Sequence, residues 1–318
     1  MRAAFVTQFD PDDPVAALTV GERPDPDRPD QDWVPVQVRA ASVNHHDLWS
    51  LRGAGLSRER LPMTLGCDAA GTGPDGAEVV VHPVVAGSTG DGRGFSLLSE
   101  YHQGTLAEQV VVPRANLVAK PPELSFVEAA CLPTAWLTAY RMLVGRGRLA
   151  AGDAVLVQGA GGGVATAAVL IAGALGARVY VTSRDPARRE RIAEFGATAV
   201  PPGGRLPERV DVVIETVGSP TLAHSMKCAR EGGRIVVSGA TAGHLAEVDL
   251  RRIFALQLEL LGTTMGSRAD LAAVLRLCVT HDLRPVIESV VGFDGLRGSF
   301  ERLAAGQVFG KIVLDTGM

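Results

Sequence analysis

The sequence predicts an α/β protein in which a doubly wound parallel sheet is inserted into a mainly β domain built from both chain ends. Short β-type runs separated by turns fill the chain as far as residue 120, and β-rich sequence returns near the C-terminus. Between them, apolar strands alternate with helices from Asp153 onward, which is typical of a parallel sheet with crossover helices. We place the β domain at 1–121 and 283–318 and the α/β domain at 122–282.

Hydrophobic periodicity places the individual elements. In the β domain it predicts strands at 3–7, 34–43, 78–81, 107–112 and 310–315. Ser125 and Glu128 form a capping box ahead of a predicted helix that ends near residue 144. In the α/β domain the predicted strands are 154–158, 178–183, 211–216, 234–239 and 258–264, and the predicted helices are 164–175, 186–195, 222–229 and 269–281.

Composition excludes several classes of protein. Lysine and arginine number 31 against 35 acidic residues, so a net charge of −4 argues against a nucleic-acid partner. No apolar run reaches the roughly 20 residues of a membrane span, and the N-terminus lacks a signal peptide, so we expect a cytoplasmic protein. The four cysteines form no CxxC pair, which argues against a zinc knuckle or a disulfide framework.

A glycine-rich segment joins the first two predicted strands of the α/β domain. An apolar strand leads into Gly159–Gly163 and then into an apolar helix, the context that a dinucleotide fingerprint requires. The spacing fits as Ala160, Gly162 and Ala165, although alanine stands where a strict fingerprint has its first and third glycines. Tight strand–helix packing is the alternative explanation. We predict that the backbone here binds a pyrophosphate at the helix N-terminus.

The end of the second strand indicates which dinucleotide binds. An acidic residue there would hold the ribose of NAD, whereas this strand ends in Ser183 and Arg184, with Arg188 one turn further. Hydroxyl and guanidinium groups suit a 2′-phosphate. A solvated helix start is the alternative, and the neighbouring Asp185 weakens the pattern. We predict NADPH.

Further stretches along nearly the whole chain carry a family resemblance. They are 40–53, 65–71, 104–143, the fingerprint, 232–243, 260–267 and 308–314. With them the chain resembles the medium-chain dehydrogenase/reductase superfamily, in its quinone-oxidoreductase and zinc-type alcohol dehydrogenase-like branch. The resemblance implies a GroES-like domain around a Rossmann domain. It also implies a homodimer paired along the edge strand 258–264.

The resemblance also shows departures at the metal positions. Zinc-using relatives have a cysteine at the position of Asn44, a His-Glu pair at the positions of Cys67 and Asp68, and a cysteine or histidine near Thr134. The stretch 79–106, where relatives carry a structural zinc lobe, contains no cysteine. The histidines at 45, 46, 82 and 102 show no ligand spacing. We therefore expect a metal-free member.

Without a metal Lewis acid, an activated C=C bond is easier to reduce than a simple ketone. We expect an NADPH-dependent reductase of quinones, enones or enoyl thioesters. A zinc-free alcohol or ketone dehydrogenase and an NADPH-binding protein with little turnover remain alternatives.

By resemblance, the residues facing the nicotinamide include Asn44, His46 and Asp47, which we assign as catalytic, with Cys67 and Thr134 nearby. His45 or His46 would be the proton donor, and Asp47 has a helix cap as its alternative role. The cofactor-binding residues are assigned as Thr138, Ala160, Gly162, Gly163, Val164, Ser183, Arg184, Arg188, Thr216, Gly239, Thr264 and Lys311.

Overall fold

The computed structural model describes residues 1–87 and 94–317. Its strands up to residue 119 are β1 (Arg2–Val6), β2 (Leu18–Glu22), β3 (Trp33–Ser42), β4 (Met63–Thr64), β5 (Asp68–Thr72), β6 (Glu78–Val81), β7 (Val84–Ala86), β8 (Phe95–Leu97), β9 (Gln109–Pro113) and β10 (Leu117–Ala119). The later strands are β11 (Ala154–Val157), β12 (Arg178–Thr182), β13 (Thr198–Val200), β14 (Val210–Glu215), β15 (Ala229–Val237), β16 (Glu259–Gly262), β17 (Ile287–Val291) and β18 (Lys311–Asp315).

The helices carry the connections between these strands. They are α1 (His45–Leu51), α2 (Phe126–Ala129), α3 (Leu137–Tyr140), α4 (Gly163–Ala174), α5 (Pro186–Ala193), α6 (Ser219–Cys228), α7 (Leu250–Ala255), α8 (Arg268–Thr280) and α9 (Leu296–Ala304). Among the described residues, none of the helices is both long enough and apolar enough to cross a membrane.

The chain divides into two units, one formed by Met1–Thr134 with Ser267–Met318 and the other by Ala135–Gly266. The division differs from the predicted boundaries at 121/122 and 282/283. The reason is packing, because α2 lies against β3, β5 and β18, and α8 lies against β10. Both helices therefore belong to the first unit, although their sequence pattern is that of the α/β part.

The first unit is built on a mainly antiparallel sheet. Its strand order is β10-β6-β5-β3-β18-β17, with β9 also paired to β3, and a smaller sheet has the order β2-β1-β4. The C-terminal strands β17 and β18 run parallel to each other and are joined through α9. Because β18 pairs with β3, the C-terminal segment completes the sheet of the N-terminal part, and the predicted GroES-like arrangement is confirmed.

The second unit contains a six-stranded parallel sheet in the order β13-β12-β11-β14-β15-β16. This is the doubly wound order 3-2-1-4-5-6 of the Rossmann fold. All four residues of β11 are buried, as expected for a strand covered by helices on both faces. The predicted Rossmann fold is confirmed, and its first two strands and that at 211–216 end within one residue of their predicted positions.

The predicted helix at 125–144 is interrupted. Ser125 accepts a hydrogen bond from the Glu128 amide and the capping box is confirmed, but α2 ends at Ala129. Wider π-helical turns follow at Leu132–Trp136 and Arg141–Arg146, on either side of α3. Pro133 lacks the N–H that a regular α-helix would donate at that turn, which accounts for the first of the two.

Candidate active site

Most of the predicted cofactor residues lie along one edge of the parallel sheet in the second unit. They lie in the segments after the carboxyl ends of β11, β12, β14, β15 and β16, two of them in the first turn of α4. The set consists of Ala160, Gly162, Gly163, Val164, Ser183, Arg184, Thr216, Gly239 and Thr264. Ligands bind at this edge in doubly wound sheets. The structure therefore brings these residues together at the edge where a nucleotide would bind.

The glycine-rich loop opens this edge toward a ligand. Gly159 and Gly161 have φ angles of +85° and +97°, which favour glycine. Gly162 is the N-cap of α4, no side chain caps the helix, and its first turn contains no acidic residue. A Cβ atom on Gly162 would meet no atom within 4 Å. Uncapped N–H groups at an exposed helix start fit the pyrophosphate of a dinucleotide.

Three predicted phosphate-binding residues surround the end of β12. Ser183 is buried and its hydroxyl accepts from the Asp185 amide at 3.2 Å, whereas Arg184 is exposed. The Arg188 guanidinium lies 3.5 Å from the Ala160 carbonyl and 3.6 Å from the Asp185 carboxylate. Asp185 caps α5 through the Ala187 amide at 2.9 Å. This acidic residue is thus engaged as a helix cap, and its presence does not imply a ribose contact.

Two of the predicted cofactor residues hold the ends of β14 and β15 close together. Thr216 accepts at its carbonyl from the Thr241 amide at 3.2 Å, and a Cβ on Gly239 would meet that carbonyl at 3.3 Å. The remaining predicted residue of this unit, Thr138, is buried within α3.

Lys311, predicted to bind the cofactor, lies in the first unit and is buried. Its ammonium donates to the Val43 carbonyl at 2.9 Å and to the Asn44 side-chain oxygen at 2.5 Å, and lies 3.3 Å from Asp68. The Asn44 amide donates in turn to Asp68 at 2.9 Å, as does the Ser42 hydroxyl at 2.6 Å. We call Lys311, Asn44, Asp68 and Ser42 the lysine cluster. Its geometry gives Lys311 a positioning role toward Asn44.

Asp47 has a structural function. One carboxylate oxygen accepts from the backbone N–H of Asn44 at 2.8 Å, and this bond caps α1. The other oxygen accepts from the backbone N–H of Gly66 at 2.9 Å. The carboxylate is fully buried, and burial raises its pKa, against the opposing effects of His46 and of the Asn44 amide. Asp47 therefore ties the start of α1 to the turn that carries Cys67. Of the two roles considered for it, the helix cap fits this geometry.

His46 connects two other buried side chains. Its Nε2 atom lies 2.9 Å from Glu100, and its Nδ1 atom lies 3.4 Å from the Cys67 sulfur. The Cys67 thiol donates to the Leu98 carbonyl. Burial opposes a charge on the ring, but Cys67, Glu100 and Asp47 outweigh it, and the pKa of His46 is raised well above its usual value. Burial raises the pKa of Cys67, and the neighbouring His46 opposes that rise.

His45, the other proton-donor candidate, behaves differently. Although it is exposed overall, partial removal of water from its ring lowers its pKa, and Lys311 and Arg52 act in the same direction. The pKa values of the two neighbouring histidines are therefore shifted in opposite directions. The partner of His46, Glu100, carries no sequence signal that would have identified it.

Comparisons with known proteins match both units. Residues 30–122 match the alcohol dehydrogenase GroES-like domain, and residues 163–280 match the zinc-binding dehydrogenase family. The chain is 30% identical over 310 residues to a zinc-type alcohol dehydrogenase-like protein of Schizosaccharomyces pombe, covering 88% of this chain and 89% of that protein. It is 29% identical over 328 residues to an acryloyl-coenzyme A reductase of Metallosphaera sedula, covering 93% and 96%.

A solved structure described as an NAD-dependent alcohol dehydrogenase has the same fold. It is 32% identical to this chain and superposes with a TM-score of 0.89, covering 99% of this chain and 100% of that one.

The zinc implied by one of these families does not suit the side chains at the metal positions. Asn44 and Asp68 face the Lys311 ammonium, whose positive charge would repel a metal ion held by the same groups. Within residues 1–87 and 94–317, no three His, Cys, Asp or Glu side chains are grouped as metal ligands would be. Part of the segment 79–106, predicted to lack the structural zinc lobe, lies outside the described residues, at 88–93.

Proposed function

The chain belongs to the medium-chain dehydrogenase/reductase superfamily, and on that premise we propose that it is a metal-free reductase that transfers hydride from NADPH to an activated C=C bond. Substrates of this kind are enones, quinones and enoyl thioesters. The observation that carries the proposal is the lysine cluster, because an ammonium is already bound by the groups that a catalytic zinc would need. Similarity to an acryloyl-coenzyme A reductase over 93% of the chain supports a C=C substrate.

A metal-free site favours a conjugated double bond for an electronic reason. Reduction of a ketone concentrates charge on one oxygen, which a metal stabilises strongly. When hydride adds to the β-carbon of a conjugated substrate, charge spreads into an enolate that hydrogen bonds or a nearby positive charge can stabilise. Bound NADPH would supply the hydride.

The sheet edge of the second unit supports the choice of a nicotinamide dinucleotide. We assign the pyrophosphate to the N–H groups of Gly162, Gly163 and Val164 at the start of α4. The exposed Arg184 guanidinium and the half-buried Arg188 are the groups we assign to a 2′-phosphate. Guanidinium groups bind phosphate through charge-assisted hydrogen bonds, and NADH offers them no such partner.

His46 is the charged group that we assign to the enolate. Its raised pKa keeps the ring protonated near neutrality. Both ring nitrogens contact protein groups, Glu100 and Cys67, so the ring acts through its charge. It can pass a proton to the substrate only after one nitrogen leaves its partner.

A substrate panel tests this function. Purified enzyme treated with a chelator is mixed with NADPH and an acryloyl or crotonyl thioester, a cyclic enone, a quinone, and a saturated ketone matched to the enone. We expect NADPH absorbance to fall with one of the conjugated substrates and to stay constant with the saturated ketone. Turnover of saturated ketones or alcohols alone would contradict the proposal. One tightly bound zinc per chain in elemental analysis would contradict the metal-free assignment.

We also propose that the protein is a homodimer. Strand β16 ends the parallel sheet, and its Leu260 side chain is 45% exposed. Phe254, on the helix that precedes it, is 71% exposed. Apolar edges of this kind are normally covered or paired. Light scattering at micromolar concentration should give the mass of two chains, and Leu260→Glu should give the mass of one; a wild-type monomer would contradict the proposal.

A further inference from the structure

A continuous chain of hydrogen bonds runs beneath the glycine-rich loop. The Gly159 amide donates to the Thr182 hydroxyl at 3.1 Å, and that hydroxyl donates to the Gln158 side-chain oxygen at 2.7 Å. The Gln158 amide donates to the Ser225 hydroxyl at 3.0 Å, and Ser225 donates to Glu215 at 2.7 Å. We call these five residues the loop network.

The chemistry of its two ends fixes the direction of every bond in the loop network. A backbone N–H only donates, so the Thr182 hydroxyl must accept from Gly159 and use its own proton toward Gln158. An ionised carboxylate only accepts, so Ser225 must donate to Glu215 and accept from Gln158. The side-chain amide of Gln158 is thereby oriented without ambiguity. Because every member has a partner, the loop network is a rigid connection.

The loop network spans the carboxyl ends of three adjacent strands. Gln158 follows β11, Thr182 ends β12 and Glu215 ends β14. Gln158, Ser225 and Glu215 have no exposed surface, and Thr182 is 2% exposed. These side chains therefore do not touch a ligand themselves. They lie under the two segments that we assign to the cofactor, the glycine-rich loop and the corner that begins at Ser183.

Glu215 also anchors the far end of the loop network. Its second carboxylate oxygen accepts from the amides of Val217 and Gly218, each at 3.0 Å, and from the Thr221 hydroxyl at 2.8 Å. The buried charge is thus stabilised by four donors, counting Ser225. A fixed anchor at this point transmits its position through Ser225 and Gln158 to Thr182.

We propose that Thr182 is a positioning residue. Its hydroxyl sets the distance between the glycine-rich loop, assigned to the pyrophosphate, and the corner that begins at Ser183, assigned to the 2′-phosphate and called the 2′-phosphate corner. The inference rests on the proposed function. Thr182 holds Gly159, at the start of the loop, and is covalently joined to Ser183, at the start of the corner. Gly159 has φ +85° and no side chain of its own to restrain it. Loss of the hydroxyl removes this restraint.

A matched pair of variants tests the role of the hydroxyl. Thr182→Val keeps the size and branching of the side chain in β12 but removes the hydroxyl, whereas Thr182→Ser keeps it. From the contribution of one hydrogen bond, we expect Thr182→Val to weaken NADPH binding by about threefold to tenfold and Thr182→Ser to stay within about twofold of wild type. Nicotinamide fluorescence gives both dissociation constants.

Two further readouts separate positioning from loss of structure. NADPH should weaken more than NADH in Thr182→Val, because only NADPH has groups for both the glycine-rich loop and the 2′-phosphate corner. The KM for the cofactor should rise while kcat at saturating cofactor stays unchanged. Equal affinities of wild type and Thr182→Val, or equal weakening in both variants, would overturn the inference.

A measurement without cofactor keeps this test independent of the proposed function. Hydrogen exchange at the Gly159 amide should accelerate in Thr182→Val and match wild type in Thr182→Ser. Unchanged exchange in Thr182→Val would overturn the inference, whether or not the wild type binds a nucleotide. Failure of the wild type to bind either nucleotide would contradict the proposed function alone. If Thr182→Val fails to fold, Ser225→Ala, which breaks the loop network one step further away, should give faster Gly159 exchange, and unchanged exchange there would overturn it.

Discussion

The lysine cluster of the first unit and the sheet edge of the second unit satisfy their polar groups in opposite ways. In the lysine cluster, the three hydrogen-bond directions of the Lys311 ammonium point at protein acceptors, and the Asn44 amide is used at both its nitrogen and its oxygen. At the sheet edge, the first N–H groups of α4 have no capping side chain, and its N-cap residue, Gly162, is exposed. The first region, which we call the closed region, directs its donors at its own acceptors, with Asp68 Oδ1 left without a partner among the described residues. The second, the open region, is prepared for an anion.

This difference separates residues that build a site from residues that bind a ligand. Asn44 and Asp47 lie in a sequence stretch that the resemblance assigns to catalysis, yet the hydrogen bonds described above hold both inside the fold. The start of α4 has the opposite character, since no side chain caps it and its N-cap residue, Gly162, is exposed. A residue with all of its hydrogen bonds satisfied inside the protein is best tested by stability, and an open donor is best tested by ligand affinity.

The largest expected effect concerns the closed region. Lys311→Met leaves the buried Asp68 carboxylate without its cation and should lower the free energy of unfolding by about 3–5 kcal/mol. Urea denaturation followed by tryptophan fluorescence measures the loss. The double variant Lys311→Met, Asp68→Asn removes both charges and should recover part of it. A double variant no more stable than the single one would show that the ion pair is not the source.

An exposed ion pair provides the control for this measurement. Arg148 and Glu259 form an ion pair in which both side chains are about half exposed. Arg148→Met should lower the free energy of unfolding by less than about 1 kcal/mol, because water screens the pair. If Lys311→Met and Arg148→Met cost the same, the distinction between a closed region and an ordinary surface would fail.

The second prediction concerns the open region. Arg184→Asp removes a guanidinium and places a carboxylate near the proposed 2′-phosphate, so NADPH should bind about one to two decades more weakly. NADH should bind as well as before or better, and the unfolding midpoint should hardly change because Arg184 is exposed. Fluorescence titration with both cofactors measures the preference. Arg188→Ala should have a smaller effect, and equal wild-type affinities for NADPH and NADH would remove the assignment of these arginines.

The smallest expected effect is a pH dependence of stability. The folded-state pKa of His46 is raised, so the stability that its charge contributes is fully present below the unfolded pKa of about 6.5. This contribution is lost as the pH rises through the higher folded-state value. Glu100→Gln removes the carboxylate that contacts the His46 ring. It should therefore reduce the loss of stability as the pH rises through the folded-state pKa of His46. Denaturation midpoints from pH 6 to pH 9 check this, and identical profiles for both proteins would contradict it.

Sequence patterns predicted the open region better than the closed one. The strands ending at Val157 and Thr182 could be located because most of their residues are apolar, and the glycines after the first of them are a local signal. The lysine cluster could not be predicted from periodicity, because Lys311 is more than 240 residues from Asn44 and Asp68 and meets them only when β18 pairs with β3. The prediction that Lys311 binds the cofactor rests on the stretch 308–314, and that motif carries no information on the pairing of β18 with β3.

The contact between His46 and Glu100 shows the same limit. The two residues are 54 positions apart, and Glu100 lies in a turn after the short strand β8, where neither helical nor strand periodicity operates. Glu215 did carry a signal, since it is an acidic residue that directly follows the apolar run 212–214 at the end of β14. Buried polar groups with distant partners are therefore the part of a site that a single sequence leaves open.

Deuterium transfer tests the central claim most directly. The chelator-treated enzyme is supplied with NADPH that carries deuterium at the transferred position and with an enoyl thioester, and the product is examined by mass spectrometry and NMR. The proposed reaction places one deuterium on the β-carbon and a solvent proton on the α-carbon, with the carbonyl intact. Deuterium on the carbonyl carbon, or transfer that stops when the chelator is added and returns with zinc, would contradict a metal-free reductase of the C=C bond.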